Sequence, residues 1–238
     1  MLTPAPGVHY AITLDGTAVL DTMAGKWLML DASAAMVWRA AMTTGSVAGL
    51  ADRIAIPAGL DPAAVRDAVH DCVASLLERG VLVDTARPPP PGTAAKVVAP
   101  VTVVAPGARP TAPLHLRLVA TVALALSLAL CHVPLRRRIA VVRQARRLPY
   151  VSARRLDALY TATTAAVPLW WPGRVACMEI SLATVIAAAL TGRRARWVLG
   201  ARFRPDAAHA WAEVPGHAVG RDIGDAVDRP WTAVMRVP

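Results

Sequence analysis

Cys177 follows the Pro172-Gly173 turn and leads into Met178-Glu179-Ile180-Ser181-Leu182-Ala183, an apolar run that reads as a helix. Thirty-two residues later, His209 stands in Ala208-His209-Ala210-Trp211-Ala212-Glu213-Val214, which reads as a strand. A thiol at a helix start is suited to nucleophilic attack. Unpaired backbone N–H groups and the helix dipole lower its pKa, and the same groups can receive an oxyanion. A neighbouring imidazole takes the thiol proton and later delivers one to the leaving group. A small buried residue would also fit at Cys177, and a plain surface pair with Trp211 would also fit at His209.

Along that strand His209 shares a face with Trp211 and Glu213, and the alanines with Val214 form the other. His217, after the Pro215-Gly216 turn, is the rival base, but the mouth of a hairpin predicts solvent exposure. A third group must fix the imidazole ring. Glu213 is four residues along the same strand, about 13 Å away, which is beyond hydrogen-bond reach. An acid on the adjacent strand would reach, which points to Asp222 or Asp225.

These residues need a scaffold, and the chain divides around Thr85 to Pro113, where eight prolines rule out helix and central strand. The expected organisation is residues 1–84, a Pro-rich linker 85–113, and residues 114–238. In the first unit, His9 to Leu14 and Thr17 to Thr22 flank Asp15-Gly16, a hairpin signal. Lys26 to Leu30 is a third strand. Helices follow: one through Ala40 capped by Asp31 or Ser33, one over about Ser46 to Ala55, and one from Asp61-Pro62 to Gly80. Val81 to Val83 then extends. This is a small winged-helix-like unit. The second unit reads as helices over Leu114 to Val133, Leu135 to Leu148, Ser152 to Val167 and Cys177 to Leu190. Strands follow over Ala195 to Phe203, Ala208 to Val214, His217 to Gly220 and Trp231 to Val237. Helices on one antiparallel sheet make an α+β domain.

The chain has 26 Lys and Arg against 16 Asp and Glu, a net charge of +10, which favours an acidic partner without naming its kind. Eight of the arginines fall between Arg136 and Arg155. The three cysteines, Cys72, Cys131 and Cys177, fit no zinc spacing, so no metal and no cofactor is expected. Their odd number suits a reducing cytoplasm. The N-terminus shows no secretory signal. Leu118 to Cys131 is short of the roughly 20 residues a spanning helix needs, so it is expected to be a buried helix without stable membrane insertion.

Cys177-Met178-Glu179-Ile180-Ser181-Leu182-Ala183 with His209-Ala210-Trp211-Ala212-Glu213-Val214 resembles the transglutaminase-like cysteine proteases of lasso-peptide biosynthesis, whose domain is papain-like. Residues 1–84 resemble the small leader-recognition domain related to the pyrroloquinoline-quinone chaperone. The resemblance implies a Cys-His-Asp protease that removes the leader of a ribosomally made precursor peptide. A partner cyclase similar to asparagine synthetases would then close the ring. In the family the third residue is an aspartate about a dozen positions past the histidine. Arg221 stands there in this chain and Asp222 one later, so Asp222 requires a one-residue slip at Gly220-Arg221. The resemblance also implies that the leader adds as a strand beside Lys26, Trp27, Leu28, Met29 and Leu30, with Val69 and Val73 across the groove.

Three other readings remain open on sequence. An acyltransferase or amidase would use the same nucleophile. A winged-helix nucleic-acid binder fits less well, because Asp61, Asp67, Asp71 and Glu78 sit on the helix that would meet phosphate, so no nucleic-acid partner is expected. A membrane-associated structural protein rests on Leu118 to Cys131 alone.

Overall fold

The computed structural model describes residues 1–86, 113–167, 175–221 and 230–238. The chain forms two compact units, residues 1–98 and 99–238.

The first unit is built on an antiparallel meander of β2 (Val8–Ile12), β3 (Thr17–Asp21) and β4 (Lys26–Leu30). The hairpin tip falls at Leu14-Asp15, one residue earlier than Asp15-Gly16. Thr13 accounts for the shift: its N–H and its hydroxyl both donate to the Gly16 carbonyl, at 2.8 and 3.0 Å, and so close the turn. Three helices follow. The first, α1 (Ala32–Thr44), has Asp31 as its cap, accepting from the Ala34 N–H at 2.9 Å. The second, α2 (Leu50–Ala58), starts later than expected. Ser46 to Gly49 instead make a turn in which the Ser46 hydroxyl accepts from the Ala48 N–H. The third, α3 (Pro62–Glu78), is capped by Asp61 with proline at its first position. A strand that the sequence did not suggest, β1 (Leu2–Pro4), pairs with β5 (Leu82–Asp84), which therefore forms a separate two-stranded ribbon. Trp38 is fully buried at the centre with Val19, Leu30, Leu76 and Leu82.

The second unit wraps one helix. α7 (Cys177–Leu190) is apolar on all sides and is buried on all sides, as such a helix must be. It packs on α4 (Leu114–Leu130), α6 (Ala153–Ala165) and the sheet strand β7 (Ala207–Val214). Thr163 and Thr184 join α6 to α7 through a buried 2.9 Å hydrogen bond. Between α4 and α6 lie α5 (Leu135–Gln144) and a short 3-10 turn, Ala145–Arg147. The antiparallel sheet has the order β8-β7-β6-β9, with β6 (Arg196–Arg202), β8 (His217–Val219) and β9 (Thr232–Val237). Trp197 of β6 donates its indole N–H to the Ser181 hydroxyl at 3.0 Å, so α7 covers the sheet face that carries Trp197 and its register partner Ala212. Both units mix helices with antiparallel strands, which is the α+β organisation expected. No helix among the described residues is long and apolar enough to cross a membrane; α4 buries Leu116, Ala120, Ala123, Leu124 and Ser127.

Candidate active site

Cys177 is the first residue of α7 and is buried. Its N-cap, Ala176, is extended and has no side-chain acceptor, so the cap position does not occupy the first-turn N–H groups. Glu179 supplies the other half of the cap, accepting from the Ala176 N–H at 2.9 Å. Burial pushes the Cys177 thiol above its ordinary value. A backbone hydrogen bond from Ala210 acts against this, the Glu179 carboxylate adds to it, and the N–H groups of Met178 and Cys177 itself act against it. α7, which begins at Cys177, packs on β7, and the His209 side chain alternates onto the face of Trp211, opposite Ala210 and Ala212, which face α7.

The α7 start is pinned from α4. Ser127, fully buried, donates to the Glu179 carbonyl at 2.8 Å. Arg138 of α5 donates to the Val133 and Cys131 carbonyls at 2.9 and 2.7 Å and to the Met178 sulfur at 3.1 Å. Cys131 itself is pushed up to about 11, first by burial and then by the Glu179 carboxylate, with Arg138 opposing.

His209 is 2% exposed, which is unusual for a histidine and rules out the surface-pair reading. It lies between two indoles, with ring centroids 6.1 Å from Trp211 and 4.7 Å from Trp231. Trp211 crosses directly over Gly200, the register partner of His209. A Cβ on Gly200 would sit 2.4 Å from the indole and 2.6 Å from the Thr232 carbonyl. Glu213 anchors this aromatic layer, accepting from Trp211 at 3.4 Å and from Arg236 at 2.9 Å. Its carboxylate is thus committed away from the imidazole.

His209 Nε2 lies 2.6 Å from the Gly220 carbonyl. A carbonyl only accepts, so in the neutral ring Nε2 carries the hydrogen and Nδ1 is the basic nitrogen. Gly220 has φ +73°, which ends β8 at Val219. Against it lies the ring of Tyr160 from α6, whose Cε2 would be 2.8 Å from an added Cβ. Burial raises the Tyr160 hydroxyl, a hydrogen bond with Thr164 lowers it, and the nearby Cys177 raises it again. Nothing in the local sequence marks Tyr160; it enters the site only because α6 packs on α7. His217, the rival base, is half-exposed and bonds to Asp157 at 2.7 Å. Asp222 and Asp225 lie outside the described residues.

In the first unit β4 is an edge strand among the described residues. Lys26, Trp27, Leu28 and Met29 are half-buried and Leu30 is core. Leu28 packs on the same cluster as Cys72 and Leu77 of α3. Val69 is buried with Val37 and Leu50, and Val73 packs against that second cluster beside α2.

Residues 118–233 match the family model of the transglutaminase-like superfamily, and residues 16–82 match that of coenzyme PQQ synthesis protein D. The chain therefore joins a PqqD-like domain to a transglutaminase-like domain. The pairing fits a maturation protein of ribosomally made peptides, since domains of the first kind bind peptides and the second superfamily includes cysteine proteases and acyltransferases. No curated protein and no solved structure matches the chain.

Proposed function

We propose that this protein is a cytoplasmic cysteine protease of lasso-peptide maturation, with Cys177 as nucleophile and His209 as base. The observation that carries the reading is the buried Cys177 thiol at the first position of α7, whose first turn has no side-chain acceptor at its N-cap, on a helix packed against the strand that carries the buried His209. His209 takes the thiol proton as sulfur attacks the scissile carbonyl. The first-turn N–H groups receive the oxyanion. The tetrahedral centre collapses, the C–N bond breaks, and His209 gives its proton to the departing amine. Water then hydrolyses the thioester, which leaves a leader with a free carboxylate and restores the thiol. Asp222 would support the imidazole together with the Gly220 carbonyl.

The PqqD-like unit would hold the leader as an added strand on β4, in a groove whose α3 side includes Cys72 and Leu77 beside Val69 and Val73. The core peptide, freed at its α-amine, would pass to a cyclase similar to asparagine synthetases. An acyltransferase would run the same first half-reaction, so product mass decides between them. In ¹⁸O-labelled water a protease places one labelled oxygen on the new leader carboxylate. A product bearing an amine in place of that oxygen would contradict the proposal.

A further inference from the structure

The two units differ sharply in charge. Residues 113–238 carry 18 arginines against seven acids, while residues 1–112 carry eight basic residues against nine acids. Part of that excess lies at the end of α7 away from Cys177. There a cavity of about 500 Å³ is lined by Tyr150, Val151, Ser152, Arg155, Thr191 and Arg193. No carboxylate lines it. Arg194 stacks on the Tyr150 ring at 4.1 Å, and Arg196 lies 5.3 Å from the same centroid. Arg194 also donates from its guanidinium to the Arg146 carbonyl, so it belongs to the wall, and Arg155 and Arg193 are the cations of the lining. Among the described residues Arg146, Arg147, Arg154, Arg155 and Arg193 have no carboxylate partner. The wall is rigid: the Val151 N–H donates to the Arg194 carbonyl and the Arg194 N–H to the Pro149 carbonyl, both at 2.9 Å.

Arg155 and Arg193 line the cavity with no carboxylate beside them, so an anion bound there would meet two guanidinium groups that no acid of the lining neutralises. We infer that this cavity is a second binding site, which takes carboxylate side chains of an acidic peptide segment. The choice of a peptide rests on the proposed protease activity. Arginine suits it through paired N–H···O bonds to each carboxylate. A cavity of this size holds one or two side chains, whereas a nucleic-acid backbone needs an extended track. The fourteen residues of α7 separate the cavity from Cys177 by about 20 Å. An extended peptide spans that in roughly six residues. The acidic residues would therefore lie about that far from the cleaved bond.

The test uses the full-length Cys177→Ala protein, so that binding is read without turnover. A labelled Glu-rich peptide and its Gln counterpart are titrated against it. The Glu peptide should bind roughly tenfold or more tightly. Arg155→Ser with Arg193→Ser should remove that preference, and Arg117→Ser on α4 should keep it. Equal binding of the two peptides by the unsubstituted site overturns the inference without depending on any variant's folding. So does a preference that survives the double substitution, or tighter binding of a single-stranded oligonucleotide of equal charge. If the preference holds while wild-type protein cleaves no precursor, the protease reading fails and this site stands.

Discussion

The ring of Tyr160 lies against Gly220, whose backbone carbonyl takes the Nε2 hydrogen of His209 at 2.6 Å. Gly220 combines φ +73° with a space that admits no Cβ. Gly220→Ala should shift this carbonyl and tilt the imidazole. Small misplacements of a reacting group cost about a hundredfold in rate, so kcat should fall by about that factor with KM little changed. Tyr160→Leu should act in the same direction, and Tyr160→Phe, which keeps the ring, should act less. Steady-state kinetics on one peptide substrate compares the three.

Cys177 should alkylate slowly at neutral pH and faster as pH rises. Its thiol is held above the ordinary thiol value by burial, and only the thiolate reacts, so each pH unit below the pKa lowers the rate about tenfold. Cys131, pushed up to about 11, should lag behind it. Peptide mapping after timed iodoacetamide exposure at several pH values reads both. A Cys177 rate already at its plateau at pH 7 would mean that the thiol exists as a thiolate pair with His209.

Much of this scaffold was legible because its signals are local. Asp61-Pro62 and Ser152 each mark a helix start, and strand alternation separates His209 from the alanine face beneath α7. The features that escaped are those set by distant partners. β1 exists only because Leu2–Pro4 meets Leu82–Asp84 across the whole first unit. Tyr160 reaches the site through helix packing, and the division of α3 between two cores, Leu76 and Leu77 on one side and Val69 and Val73 on the other with Cys72 touching both, depends on where α2 lies. The slip that Asp222 requires falls at a glycine that leaves strand geometry, but Asp222 itself is outside the described residues.

Gly200→Ala should destabilise the second unit by about 1–3 kcal/mol, the usual cost of overpacking a tight core. The new methyl would meet both the Trp211 indole and the Thr232 backbone, and only the first can move. Thermal unfolding of the full chain should show the loss as a lower Tm.

Leu28→Lys should weaken leader binding about tenfold while leaving cleavage of a short leaderless peptide unchanged. Leu28 is half-buried on the edge strand, so circular dichroism should show an intact fold. Equal effects on both substrates would place the leader elsewhere.

The most direct test is the mass of the precursor peptide after incubation with wild type, Cys177→Ala and His209→Ala. The account predicts leader removal by wild type only, with precursor binding by both variants retained. Cleavage at the wild-type rate by Cys177→Ala would contradict it.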